Sequence, residues 1–277
     1  MRLVVDANQA GRVPATLPAG FAGLTLSPFL VAEILLRGPG PRTQTFAVLA
    51  AHDLTIGMQP RELLDNIALL QAADIVRATP FPTPNSEVHA LSRRLLNRSD
   101  YPQAVLWAKK VKASHHKLCR NFASMAARAR KSIKEQRIRK LNDFTEVKQV
   151  LAQGSESFLG SLVNTTVRKG RPRVVIQNRQ ALYDAVMMNA YLHRYFHALL
   201  YYVVSVSRLW RDQRLNRDPK ATRDDWSDLA LSLYTGDGDV IVSKDALVRQ
   251  AFAAIDPTVR VLSAAALGAN PETTLRA

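Results

Sequence analysis

From residue 86 to residue 222 the chain shows helical periodicity and almost no strand pattern, whereas both flanks alternate short apolar runs with amphipathic ones. That contrast limits the fold more than any other feature. Apolar runs alternating with helices build a mostly parallel sheet covered by helices. A segment without such runs cannot supply strands to that sheet. The expected fold class is α/β: a three-layer domain, with a parallel sheet and helices on both faces, interrupted by a mainly α-helical insert. The expected boundaries are 1–85 for the first part of the α/β domain, 86–222 for the insert and 223–277 for the second part. The Pro-rich TPFPTPN, residues 79–85, marks the first boundary.

Five strands are expected in the flanks: RLVVD at 2–6, LTL at 24–26, LTIGM at 54–58, VIVS at 240–243 and VRVLSA at 259–264. After the first comes a Pro/Gly loop, AGRVPATLPAGFAG. Ser27 and Pro28 read as N-cap and first residue of the helix FLVAEILLR, which stops at Gly38-Pro39-Gly40-Pro41. Pro60 opens another helix, RELLDNIALLQAADIV. Within the insert, Trp107, Val111, Leu118, Phe122, Met125, Ala129 and Ile133 form an apolar stripe at helical spacing. A single helix from Gln103 to Lys140 would be about 55 Å long. VVIQN is the only β-like interruption. The stretch from Ala181 to Trp210 is apolar nearly all round and reads as one long buried helix. DDWSDLALSLY starts a helix, Gly236-Asp237-Gly238 is a turn, and DALVRQAFAAI is a helix stopped by Asp256-Pro257.

The hydrophobic fraction of 47% excludes wholesale disorder. The longest uncharged apolar stretch of the C-terminal half, YFHALLYYVVSVS, falls short of the roughly 20 residues that span a bilayer, so no membrane association is expected. The start, MRLVVDANQ, is not a signal-peptide pattern. Cys119 is the one cysteine, which excludes an internal disulfide and suits a cytoplasmic location.

Net charge is +15, and its location matters more than its size. Residues 93–140 carry 15 Lys and Arg against two acids, Asp100 and Glu135, so 15 − 2 = +13 of the excess sits there. A solvated face usually mixes both signs. A field of one sign attracts a polyanion by releasing its counterions. The expected partner is a nucleic acid, RNA first and DNA second. A soluble basic surface or an acidic protein partner is the competing explanation, and a homodimer stays open. Lys109, Lys110, Lys112, Lys117, Arg120, Arg128, Arg130 and Lys131 on the long helix, with Lys169, Arg171 and Arg173 in the loop VRKGRPR, are the candidate phosphate contacts.

Asp6 and Asp245 each follow an apolar strand. In open α/β sheets, ligands bind beyond the carboxyl ends of the strands. Two acids delivered there by adjacent strands would share one site, although either alone would pass as a turn or a helix cap. Glu33 stands among apolar neighbours, where an unpaired carboxylate is costly if buried. Asp228 lies one turn into its helix, where a helix-dipole role competes. Together these four acids suit a hard divalent cation such as Mg²⁺ or Mn²⁺. Such an ion activates water and offsets charge building on a phosphoryl group.

The segments VVDAN (4–8), SPFLVAEILLRG (27–38) and SDLALSLYTGDGDVIVSKD (227–245) resemble the PIN-domain nucleases, a family rich in toxin ribonucleases. LTIGMQPRELLDNIALLQ is similar to that family's third strand and following helix. The resemblance covers roughly 1–78 and 224–265. It implies a PIN-like fold, Asp6, Glu33, Asp228 and Asp245 as catalytic and metal-binding acids for Mg²⁺ or Mn²⁺, and Ser243 and Asn8 in support. It implies a metal-dependent endoribonuclease that hydrolyses phosphodiester bonds, toxin-like and paired with an antitoxin. Two departures stand out. The loop AGRVPATLPAGF replaces the usual helix after the first strand, and the insert is long. Asp224, Asp225 and Asp239 compete with Asp228. The alternatives are a PIN-like protein that binds nucleic acid without catalysis, and a scaffold for an acidic partner such as an antitoxin.

Other constellations point to structure rather than chemistry. His193 and His197 share a helical face but lack the Glu of the zinc-protease motif. His115, His116 and Cys119 form too small a set for a zinc site. Asp184 is expected to be the buried partner of an Arg, with a fifth acid near the site as the alternative. Asn8 stands where a phosphatase of the haloacid-dehalogenase type needs a second Asp, which argues against an aspartyl-phosphate mechanism.

Overall fold

A computed structural model describes residues 1–60, 62–63, 72–81, 101–135, 144–149, 179–207 and 223–269. It contains one sheet of five short parallel strands: β1 (Leu3–Val5), β2 (Leu24–Leu26), β3 (Leu54–Ile56), β4 (Val240–Val242) and β5 (Arg260–Leu262). All five coincide with the apolar runs of the flanks. The strand order is β3-β2-β1-β4-β5. From β1 the chain moves outward through β2 and β3, then returns to the other side of β1 for β4 and β5. The order thus reverses between β1 and β4, where Leu3, Val4 and Val5 pair with Val240, Ile241 and Val242.

Among the described residues the helices include α1 (Pro28–Leu35), α2 (Pro39–Leu49), α3 (Ala72–Arg77), α4 (Tyr101–Glu135), α5 (Arg179–Met188), α6 (Leu192–Ser207), α7 (Arg223–Leu229), α8 (Ala246–Ile255) and α9 (Ala264–Ala269). Ser27 caps α1, its hydroxyl accepting from the Leu30 N–H, with Pro28 at the first helical position. Asp245 caps α8 in the same manner.

Two helices depart from expectation. α1 ends before Gly38-Pro39-Gly40-Pro41, as the stop predicts, but the same segment also opens α2, which the sequence does not announce. The first N–H groups of a helix have no intrahelical acceptor, so prolines in the opening turn forfeit nothing. The expected single helix over 181–210 is broken at Asn189 into α5 and α6. Asn189 is buried and fully engaged. Its Oδ1 accepts from the Tyr191 and Leu192 N–H groups, both at 2.9 Å. Its Nδ2 donates to the carbonyls of Ile75 (2.7 Å), Val76 (3.2 Å) and Ala78 (2.7 Å). One side chain therefore starts α6 and closes the end of α3.

The chain divides into two compact units, Met1–Gln59 with Pro80–His116 and Tyr234–Ala277, and Pro60–Thr79 with Lys117–Leu233. The first holds the sheet. Its core is built from Leu3, Val5, Leu24, Leu26, Val240 and Val242 of the strands, from Val31, Ile34 and Leu35 of α1, and from Ala104, Ala108 and Val111 of α4. Trp107 packs partly buried against it. Gly57, just past β3, lies so close to the Tyr234 ring that a Cβ there would overlap it, and the Tyr234 hydroxyl donates to the Met58 carbonyl at 2.8 Å. The second unit packs Phe122, Tyr195 and Tyr202 around the buried Trp226, with ring centroids 4.8, 5.6 and 5.7 Å from it. Its helices α5 and α6 bear the apolar faces that the sequence puts at the centre of the insert. VVIQN lies outside the described residues.

Candidate functional site

The carboxyl ends of β1 and β4 lie side by side, and the ladder runs on past both strands. The Asp6 N–H donates to the Val242 carbonyl at 3.0 Å, and the Ser243 N–H donates to the Leu262 carbonyl of β5 at 2.8 Å. Asp6 and Ser243 are thereby set opposite each other. The Ser243 hydroxyl donates to Asp6 Oδ2 at 2.7 Å and accepts from the Asp245 N–H at 3.1 Å. With a lone pair occupied by that N–H, the hydroxyl proton is aimed at the carboxylate. Ser243 is buried, so this bond is shielded from water.

Asp6 is only 5% exposed. Burial raises its pKa above the ordinary carboxylate value, and the nearby charge of Asp245 raises it further. Donation from Ser243 and from the backbone of Ala7 and Asn8 opposes the rise without cancelling it. Asp245 is half-buried and has two roles at once. Its Oδ1 accepts from the Leu247 N–H at 2.7 Å as the cap of α8, and its charge acts on Asp6. The helix-cap explanation and the paired-acid explanation are both realised in one residue.

Asn8 is exposed and lends a backbone N–H to Asp6. Its side-chain carbonyl accepts from Gln9 Nε2 at 3.0 Å. Gln9 has no mark in the sequence, yet it is buried and its Oε1 accepts from the Ala264 N–H at the start of α9 (3.0 Å). It ties the loop after β1 to the helix after β5. The signal that would have exposed it was hidden, because α9 is itself not evident from AAALGA.

Glu33 is half-buried on α1. Four residues on, Arg37 Nη2 donates to the Ala7 carbonyl at 3.4 Å, bringing the end of α1 to the loop after Asp6. Asp228 is half-buried on α7 in the second unit. The side chains of Asp224 and Asp225 lie outside the described residues. Asp239 drops out as a rival. Its Oδ1 accepts from the Arg2 N–H (2.7 Å) and its Oδ2 from the Gly236 N–H (3.0 Å), at the end of β4 away from Asp6. Asp184 is exposed on α5 rather than buried, because the buried face of that helix is formed by Ala185 and Val186.

On α4, Lys109, Lys110, Lys117, Arg120 and Lys131 are exposed and Lys112 is half-buried. Val111, Leu118 and Phe122 of the apolar stripe are buried, as core residues. The side chains of Met125, Arg128, Ala129, Arg130 and Ile133, and the whole of Lys169, Arg171 and Arg173, lie outside the described residues. His115 stacks on Phe29 of α1 at 3.9 Å, and His193 Nδ1 sits 2.7 Å from the Asn189 carbonyl. Both are packing histidines.

The described residues bring Asp6 and Asp245 together, with Ser243 between them. Among the described residues no group of three or more His, Cys, Asp or Glu side chains is placed to hold a metal ion. Two carboxylates still fit Mg²⁺, which keeps most of its waters and takes one or two carboxylates along with substrate phosphate oxygens. The raised pKa of Asp6 fits as well, since a cation would offset both the burial of its charge and the repulsion from Asp245. Among the described residues no helix is long and apolar enough to cross a membrane. Comparison of the chain with protein families, curated proteins and solved structures finds no match.

Proposed function

We propose that the protein is a metal-dependent nuclease of the PIN-like kind that hydrolyses phosphodiester bonds in RNA. The observation that carries this reading is the Asp6–Ser243–Asp245 cluster at the carboxyl ends of β1 and β4, where the strand order reverses. That is where open α/β sheets take their ligands. A bound Mg²⁺ or Mn²⁺ supplies a lowered water pKa and charge stabilisation at the phosphoryl group. The chain's own residues do the rest. Asp6 and Asp245 hold the cation's side of the site, with Glu33 of α1 as a further carboxylate. Ser243 fixes the Asp6 oxygen it touches, so that the other oxygen faces the ligand. The exposed cations of α4 hold the phosphate backbone and set its register without reading sequence.

Asp6→Asn tests the reading. The variant is expected to lose Mn²⁺-dependent cleavage of RNA by two orders of magnitude or more, about 3 kcal/mol of transition-state stabilisation, while binding RNA as the wild type does. Cleavage at the wild-type rate would overturn the assignment.

A PIN-like protein that binds RNA without cutting it is the competing reading, which the exposed cations of α4 would suit as well. Wild-type protein that binds RNA with a steep salt dependence, yet never cuts it with Mn²⁺, would decide for that reading.

A further inference from the structure

A phosphodiester approaching Asp6 and Asp245 meets two carboxylates that already repel each other. Like charges in a half-buried site are weakly screened, so the anion needs cations beside the acids as well as any metal among them. Two side chains meet that need. Lys244 stands between Ser243 and Asp245 at the end of β4. Its neighbours turn inward, Ser243 to Asp6 and Asp245 to the cap of α8, and Lys244 is left exposed. Arg37 ends α1 and reaches the carbonyl of Ala7, the residue after Asp6, through one weak bond of 3.4 Å. A guanidinium has five N–H donors, so the fork is largely unused.

Among the described residues neither cation pairs with a carboxylate. By contrast Arg2, at the opposite end of the strands, is closed off by Asp53 at 3.0 Å. Lys244 adjoins Asp245 in the chain and is exposed, and Arg37 touches the residue after Asp6, so both cations stand beside the acidic pair with donors to spare for an anion that arrives from outside.

We propose that Arg37 and Lys244 form a phosphate clamp at the mouth of the Asp6–Asp245 site, each holding one phosphate of the nucleic-acid backbone on either side of the bond to be cut. The proposal rests on the nuclease reading for its substrate. Arg37 supplies a bidentate contact and Lys244 a point charge. Both bind the substrate's resting and reacting forms alike, so their loss weakens binding rather than the chemical step.

The test uses the full chain, a fluorescein-labelled single-stranded RNA oligonucleotide, and the variants Arg37→Gln, Lys244→Gln, Arg37→Lys and Lys244→Arg. For each Gln variant KM is expected to rise about 5- to 10-fold with kcat unchanged, as fits loss of a charged hydrogen bond at a partly exposed site. Binding without divalent metal is expected to lose about 0.7 from the slope of log K against log salt, one phosphate contact on a single strand. The charge-conserving variants are expected to keep the slope. Gln variants with wild-type KM and slope would overturn the clamp. A wild type that binds but never cuts would overturn the nuclease reading alone, because the slope still decides the clamp. A wild type that binds no RNA would overturn both.

Discussion

Asp6 is buried, faces the Ser243 hydroxyl and feels the charge of Asp245. Its pKa is raised in the folded chain, so folding favours its protonated form. That contribution to stability is fully present below the ordinary carboxylate pKa and is lost as pH rises through the folded value. At neutral pH the ionised carboxylate therefore works against the fold. Asp6→Asn is expected to raise Tm at pH 7, with the gap closing as pH falls to about 4, the unperturbed carboxylate value. Thermal melts of both proteins across that range check it; a Tm for Asp6→Asn at or below the wild type at pH 7 would show that the hydrogen bonds to the carboxylate outweigh its burial. At this scale the sequence is partly transparent. Asp6 and Asp245 are visible because each ends an apolar run, and the backbone then leaves them few places to go. Gln9 and Arg37 are invisible, because their partners are backbone groups of Ala264 and Ala7 supplied by the tertiary fold. Asp239 competes with Asp228 in the sequence, where spacing favours Asp228. Only the hydrogen bonds of Asp239 at the far end of β4 remove it from contention.

The strands were the easiest elements to read. β1, β2, β3 and β4 are each three apolar or β-branched residues bounded by polar residues or glycine, and β1, β2 and β4 are buried throughout, the pattern that parallel strands covered on both faces leave; β5 begins with Arg260 and is only partly buried. Helix boundaries were harder where local chemistry misleads. Gly38-Pro39-Gly40-Pro41 has the composition of a breaker but the geometry of a helix opening. Asn189 lies inside a run of apolar residues at helical spacing, and nothing local says that its amide will bond three carbonyls at the end of α3. Replacing it removes the start of α6 and leaves buried carbonyls unsatisfied. Asn189→Ala is expected to cost about 3 kcal/mol of stability, measured by urea denaturation, since a lost cap and an unsatisfied buried group each contribute about 1–3 kcal/mol. A loss under about 0.5 kcal/mol, the scale of an ordinary surface substitution, would mean that water replaces the side chain at that junction.

Charge is the property of the whole molecule that the sequence displays most openly. The exposed Lys109, Lys110, Lys117, Arg120 and Lys131 of α4 carry the single-sign field outward. If they hold a phosphate backbone, the charge-neutral pair Lys110→Gln and Lys117→Gln is expected to lower the salt slope of RNA binding by about 1.4, two contacts at about 0.7 each. A slope left unchanged would assign the field to a partner other than nucleic acid. What composition and periodicity cannot show is which distant segments meet. Asp6 and its Ser243 donor are 237 residues apart in the chain. A ribosome adding about 5–20 residues per second needs on the order of 10–50 s to cover that gap. Throughout that interval β1 has a bare edge where β4 will pair, and the Asp6 carboxylate has no hydroxyl to fix it. The two acids first meet when residues 240–245 leave the exit tunnel, so the growing chain is without its site until all of residues 1–245 have been made.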